Sequence, residues 1–286
     1  VESVRKDEKG KDIRVPVVLN RNGAIVVCDD RGREIGEPMD IPAGAILRDR
    51  YEPPHDITMK GAIDLVTEAD LAAEAAIVAL LAAATPEVAV MTEETAATHT
   101  LERSGRFWVV DPLDGTTNFA HGFPFFAVSI GLLDHGRPQA AAVYLPILDE
   151  LFCAVRGAGA WLNGRPIRVT DTAELIASLI ATGFPYEVER TMPAVLRQLA
   201  AMLPRVRDIR RAGAAAVDLA YVACGRLDGF YEMCLQPWDT AAGWLLVEEA
   251  GGRVSDFSGA PYSVFHAEIL ASNGKIHDGL QTLLHE

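Results

Sequence analysis

The sequence predicts a layered α/β sandwich with mixed sheets, of the α+β kind. Short apolar or β-branched runs mix with longer helical stretches without strict βαβ succession. Several of those runs are joined by tight turn signals that favour antiparallel pairing. The composition is globular: 49% of the 286 residues are hydrophobic and 23% charged, enough for a substantial core in one large domain or two small ones.

Residues 1–12 are charged and expected to fray. Arg14–Leu19 and Ala24–Cys28 are β-branched runs around Asn20-Arg21-Asn22-Gly23, a hairpin signal, and Asp30-Arg31-Gly32-Arg33 suggests a second turn. Residues 13–40 therefore read as a small β-meander, and 1–40 as an N-terminal segment set off from a main domain, 41–286. Ile41–Tyr51 is a short helical candidate closed by Pro53-Pro54. Asp70–Ala84 is an alanine-rich helix, with Thr67 and Asp70 spaced as a capping box in which Asp replaces Glu. Val88–Met91 is a strand, 95–105 a polar loop, and Phe107–Val110 a buried strand that runs into Asp111. Ala127–Asp134 and Gln139–Leu145 form a hairpin around His135-Gly136-Arg137-Pro138, Leu151–Val155 adds a strand, and Asn163-Gly164 marks a turn. Helices follow at Pro193–Leu203, at Ala214–Cys224 (stopped by Gly225) and at Asp239–Ala250 (ended by Gly251-Gly252). Strands at Leu227–Glu232, Arg253–Asp256 and Glu268–Ala271 and a last helix complete the chain.

Forty acidic and 26 basic residues give a net charge of −14. Such a field repels nucleic-acid phosphates, so no nucleic-acid partner is expected. It also disfavours a small phosphorylated substrate unless a cation sits in the site. No apolar run reaches the ~18 residues of a membrane span, and Val1–Lys6 lacks a secretory apolar region. The four cysteines, Cys28, Cys153, Cys224 and Cys234, are scattered without a C-x-x-C pair. They read as buried or inert thiols in a cytoplasmic protein.

The most informative stretch runs from Trp108 to Phe119. An apolar strand delivers Asp111, Pro112 cannot extend the ladder, and the chain is expected to turn so that Asp114 folds back beside Asp111. The Leu113 carbonyl lies between them, Gly115 allows close approach, and Thr116 and Thr117 suit a helix start whose free amides can hold phosphate. Two carboxylates ~4 Å apart repel by roughly 4 kcal/mol at an effective dielectric of ~20. Either one is protonated or a cation lies between them, and hard oxygen donors suit Mg²⁺. Asp111 to Asp114 alone would more readily make a solvated turn. Three further acidic sites at element boundaries, Glu93-Glu94, Asp239 and Asp70, favour the cation, which would also supply the positive field that a chain of charge −14 lacks.

With these residues in view, the chain resembles the inositol monophosphatase family of Mg²⁺-dependent, lithium-sensitive phosphatases. The family string W-[IV]-[IV]-D-P-[IL]-D-G-T-T-N-F matches Trp108 to Phe119, and G-E-E-[ST] appears as Thr92-Glu93-Glu94-Thr95. K…D-L-V-T-x-x-D appears as Lys60, Asp64-Leu65-Val66-Thr67 and Asp70. W-D-x-A-[AG]-G…E-A-G-G appears as Trp238 to Gly243 and Glu249 to Gly252. The resemblance implies an αβαβα sandwich, its metal-site half at about 41–145 and its substrate-wall half at about 146–286. It implies two to three Mg²⁺ ions, with Mn²⁺ as a substitute, held by Glu93, Asp111, the Leu113 carbonyl, Asp114 and Asp239. Asp70 and Thr116 would orient and deprotonate the attacking water, with Glu93 helping through a third ion, and Gly115 and Thr116 would bind phosphate. Asp114, Gly213, Ala214, Ala215 and Glu232 would face the substrate.

The implied reaction is hydrolysis of a small-molecule phosphate ester, inositol monophosphate first. Fructose-1,6-bisphosphatase, histidinol-phosphatase and 3′-phosphoadenosine-5′-phosphate phosphatase activities are alternatives on the same scaffold, and an inactive regulatory protein is the alternative of another class. A homodimer is the implied assembly. Besides Thr92 in the place of Gly, two departures from the family pattern matter: Ala214 stands where Ser or Thr is usual, and residues 1–40 look β-like where the family opens with a long helix.

Overall fold

The structure is a computed structural model that describes residues 17–21, 24–28, 39–40, 42–52, 55–60, 65–94 and 105–285. The expected frayed start and the 95–104 part of the polar loop lie outside the described residues. Strands β1 (Val17–Arg21), β2 (Ala24–Cys28) and β3 (Met39–Asp40) pair antiparallel, with Arg21 opposite Ala24, in the meander order read from the sequence. Helix α1 (Pro42–Asp49) starts on a proline, whose missing N–H costs nothing at a first helical position. A ribbon of β4 (Ile57–Met59) and β5 (Leu65–Thr67), not anticipated, leads into α2 (Glu68–Ala84). There Thr67 and Asp70 form the predicted capping box.

The larger sheet holds β6 (Ala89–Thr92), β7 (Arg106–Asp114), β8 (Ala127–Asp134), β9 (Arg137–Leu145), β10 (Glu150–Val155), β11 (Gly159–Leu162) and β12 (Arg165–Pro166) in sequential order. All its pairs are antiparallel except β6 with β7. The short helix α3 (Thr116–Ala120) lies between β7 and β8. The second sheet follows the order β14-β13-β15-β17-β16, from β13 (Leu179–Thr182), β14 (Asp208–Arg210), β15 (Gly229–Met233), β16 (Arg253–Ser255) and β17 (Glu268–Ser272). It too is mixed: β13 is parallel to β14 and β15, while β17 is antiparallel to both neighbours. Among the described residues the remaining α-helices are α4 (Val188–Met202), α5 (Ala215–Ala223), α6 (Pro237–Glu249) and α7 (His277–His285).

Side-chain alternation along the strands sorts these elements into five layers. On β7, Trp108 and Val110 join Leu47 of α1 and Ile77 of α2 on the outer face. Phe107 and Val109 turn inward to the core that contains α5 and α6. On β15, Phe230 enters that same central core while Tyr231 turns outward to Met202 of α4 and Leu280 of α7. The order is helices, sheet, helices, sheet, helices, which is the αβαβα sandwich. In the middle layer α5 and α6 approach closely at Gly243, where any Cβ would strike Leu219.

Two expectations need correction. Helix α4 starts five residues before the expected Pro193, which stands inside it. The turn before the proline is secured by Thr191, whose amide (3.1 Å) and hydroxyl (2.8 Å) both donate to the Glu187 carbonyl. Pro112 does not end its strand: β7 continues to Asp114. Asp111 faces Ser129 and Asp114 faces Ala127, so two residues on β7 oppose one on β8. This bulge holds the proline where the ladder asks for no donor.

Candidate metal centre

The bulge brings two acids of one strand to the same end of the sheet. Asp111 is buried, and its Oδ1 accepts from the Leu113 amide at 3.0 Å. Asp114 reaches across to the start of α5, where its carboxylate accepts from the amides of Ala215 (3.2 Å) and Ala216 (2.8 Å). Ala214 is the N-cap of that helix and has no side chain able to cap. Asp114 thus satisfies first-turn amides of α5 that the Ala214 side chain cannot reach.

Asp239 occupies the third position of α6, and its Oδ2 accepts from the Gln236 amide at 2.7 Å. Asp70 occupies the third position of α2 and is wholly buried. Its Oδ2 accepts from the Thr67 amide (2.9 Å) and hydroxyl (2.5 Å), and its Oδ1 from the Thr116 hydroxyl (3.1 Å). The Thr116 hydroxyl lies equally close, at 3.1 Å, to the Leu113 carbonyl. Glu93 follows β6, with its amide donating to the Val110 carbonyl at 3.3 Å. Lys60 Nζ bridges Glu93 (3.1 Å) and Glu94 (2.6 Å), and the Glu94 amide donates to Glu74 at 3.0 Å.

The electrostatics are those of acids held together against their charge. Burial pushes Asp111 well above the ordinary carboxylate range, and the charges of Glu93, Asp114 and Asp239 push it further. Burial lifts Glu93 to about 7; Lys60 opposes the shift while Asp239 and Glu94 add to it. Asp114 rises to about 7 by burial, against the pull of the α5 amides. Asp239 also rises to about 7 by burial, with the Gln236 amide opposing and Asp114 contributing. Burial raises Asp70 as well, opposed by its hydrogen bonds from Thr67 and Thr116.

Glu93, Asp111, Leu113, Asp114 and Asp239 all line one cavity of about 480 Å³, together with Gly115, Thr116, Gly213, Ala214, Ala215 and Glu232. Asp70 does not line the cavity itself but is hydrogen-bonded to Thr116, which does. Among the described residues no three His, Cys, Asp or Glu side chains already converge to ligating distance. The fit to a metal therefore rests on the donor set: hard carboxylate and carbonyl oxygens around a shared space, with ionisation opposed by mutual repulsion. That set fits a hard divalent cation.

Residues that the sequence reading left aside also reach the cavity. Arg210 and Arg211 stand side by side at the end of β14. The structure separates them: Arg210 pairs with Asp208 at 2.6 Å, whereas Arg211 lines the cavity with its guanidinium 5.2 Å from the Phe184 ring centre. Gly183, Phe184 and Tyr186 line it from the loop after β13, a strand that local pattern did not reveal. Cys234 is on the wall rather than in the core. His121, by contrast, caps α3 and is exposed, and Trp108 and Trp244 are core.

Comparison with known proteins adds an independent line. Residues 33–286 match the model of the inositol monophosphatase family. A protein named Nus factor SuhB from Escherichia coli K12 is 43% identical over 236 residues, 82% of this chain and 88% of its own length. An inositol-1-monophosphatase from Synechocystis is 43% identical over 252 residues, 88% of each chain. Among solved structures, the extragenic suppressor protein suhB of Bartonella henselae superposes with a TM-score of 0.80 at 42% identity, covering 86% of this chain and 95% of its own.

Proposed function

The chain belongs to the inositol monophosphatase family, and from that premise we propose that it hydrolyses small polyol phosphate monoesters with Mg²⁺, inositol monophosphate first among them. The observation that carries this reading is the cavity where Glu93, Asp111, Asp114 and Asp239 meet beside a threonine bound to a buried aspartate. Glu93, Asp111, the Leu113 carbonyl, Asp114 and Asp239 would hold two to three ions. Bound Mg²⁺, or Mn²⁺ in its place, neutralises phosphate charge and lowers the pKa of water.

The chain's own groups do the rest. The Thr116 hydroxyl has one proton and two acceptors at 3.1 Å, Asp70 and the Leu113 carbonyl. With that proton directed to Asp70, an oxygen lone pair faces the cavity and can accept from a water. A proton taken from the water then passes through Thr116 to Asp70, whose burial raises its affinity for it. Water oxygen bonds to phosphorus, the ester P–O bond breaks, and the leaving alkoxide takes a proton from solvent water to release the polyol and inorganic phosphate, after which Asp70 returns its proton to solvent. Gly115 and Thr116 would bind the phosphate. Asp114, Gly213, Ala214, Ala215 and Glu232 would meet the leaving group.

The intact acid set favours turnover over a purely regulatory role. We also propose that residues 41–286 form the phosphatase unit, that the protein works as a cytoplasmic homodimer, and that Li⁺ inhibits it. Among the described residues no helix is long and apolar enough to cross a membrane.

The deciding experiment measures phosphate release with Mg²⁺ from inositol 1-phosphate, fructose 1,6-bisphosphate, histidinol phosphate and 3′-phosphoadenosine 5′-phosphate. Highest kcat/KM on inositol 1-phosphate is expected. A wide preference for the nucleotide would overturn the substrate, and no release from any of the four would overturn the activity.

A further inference from the structure

Position 183 holds glycine for a reason that backbone conformation does not supply. Gly183 follows β13 directly, is buried, and does not have a left-handed φ. Strands β13 and β15 run parallel with Thr182 opposite Tyr231, which brings the next residues, Gly183 and Glu232, side by side. A Cβ on Gly183 would lie under 3.0 Å from all three atoms of the Glu232 carboxyl group, a separation that real Cβ atoms essentially never show. Both residues line the cavity. The bare Cα is thus a notch in the cavity wall, and the Glu232 carboxylate rests in it.

The surroundings give the notch a consequence. Asp239, Asp218 and Asp114 repel the Glu232 charge, and Arg211 attracts it. A carboxylate denied the notch must shift among these groups. The atoms that would collide are the tip of a flexible side chain, so a methyl group at 183 displaces the carboxylate and leaves β13 in place.

We propose that Gly183 is a positioning residue for substrate selection: by offering no side chain, it sets where the Glu232 carboxylate stands when it meets the hydroxyl groups of the leaving group. This inference rests on Glu232 being a substrate contact, as proposed above. Gly183 itself touches no reacting atom, and its influence passes through Glu232.

The test is a double-mutant cycle on the Mg²⁺-loaded full chain, assayed with inositol 1-phosphate and with 4-nitrophenyl phosphate, which has no hydroxyl for Glu232 to meet. Gly183→Ala is expected to raise KM for inositol 1-phosphate about tenfold, the size of one lost charge-assisted hydrogen bond, while kcat changes by less than about threefold. The selectivity ratio of inositol 1-phosphate over 4-nitrophenyl phosphate falls by the same factor. Glu232→Ala alone raises KM comparably. Adding Gly183→Ala to Glu232→Ala relieves the collision, so this variant folds, and KM rises no further. Glu232→Asp, one methylene shorter, recovers part of the loss in the Gly183→Ala background. An unchanged KM in Glu232→Ala would refute Glu232 as a substrate contact. A KM raised by Glu232→Ala but unmoved by Gly183→Ala would refute the positioning role alone. Equal KM increases from Gly183→Ala with and without Glu232 would show that the notch acts by another route, and would also overturn the proposal.

Discussion

Replacing Asp239 by Asn should cost the enzyme its turnover and make the metal-free protein more stable, in a pH-dependent way. The folded-state pKa of Asp239 is about 7 against an ordinary 3.8. Between those values the native state binds more protons than the unfolded chain, so this group makes stability fall as pH rises from about 4 through 7. Three units correspond to about 4 kcal/mol at 1.36 kcal/mol per unit. The side chain is partly exposed to the cavity, and solvent screening reduces this to about 2–3 kcal/mol. Asn cannot ionise yet still accepts from the Gln236 amide, so the cap on α6 is kept. Urea unfolding in EDTA at pH 4.5 and pH 8, followed by circular dichroism, reads the difference. The variant should match wild type near pH 4.5 and exceed it by about 2–3 kcal/mol at pH 8, or roughly 5 °C in Tm for a chain of this size. With Mg²⁺ the advantage should shrink or reverse, because the ion offsets the same repulsion in wild type. Equal or lower stability of the variant at pH 8 in EDTA would refute the reasoning.

Asp111→Asn should lower kcat by about a thousandfold or more with an unchanged far-ultraviolet spectrum, since Asp111 is proposed as a metal ligand; turnover near wild type would remove it from the ligand set. If Asp70 and Thr116 relay one proton as proposed, Thr116→Val and Asp70→Asn should each lower kcat by about 10²–10³, and the double variant should be no worse than the poorer single one; additive losses measured by phosphate release would separate their roles. His277 is buried, its two ring nitrogens each 2.9 Å from a serine hydroxyl (Ser255 and Ser272), and burial lowers its pKa to about 4. The unfolded histidine takes its proton near pH 6.5. Its contribution, about 3 kcal/mol, is therefore complete above pH 6.5 and lost as pH falls towards 4. Urea midpoints of wild type and His277→Gln at pH 7 and pH 5 should converge on acidification.

The features legible in the sequence were those governed by neighbours along the chain. Thr67 and Asp70 announced a helix start, Gly225 and Gly251 adopt the left-handed φ (76° and 89°) that ends a helix, and the β8–β9 hairpin followed from its turn residues. The cavity's acids were legible for the same reason: each stands in a short string at an element boundary. What stayed hidden depends on partners far along the chain. No local pattern says that Asp114 caps a helix 101 and 102 residues later, that Arg211 rather than Arg210 enters the cavity, or that Gly183 is kept bare by a carboxylate on β15. Pro112 misled for a related reason, because its effect on β7 is decided by the register of β8 opposite.

The acids combine two duties, and this explains how so much repulsion is held in one place. Asp70, Asp114 and Asp239 each accept amide hydrogen bonds at the start of a different helix, α2, α5 and α6. Free amides and the positive end of the helix dipole favour the ionised carboxylate and offset part of the burial that opposes it. The helices in turn have their first amides satisfied by side chains that the proposed chemistry would use. These three carboxylates are thereby tied to rigid elements of three layers. Because each acid is also a cap, an alanine in its place removes charge and cap together and confuses the two effects. Asparagine removes only the charge, which is why the stability gain expected of Asp239→Asn measures the electrostatic cost of the site itself.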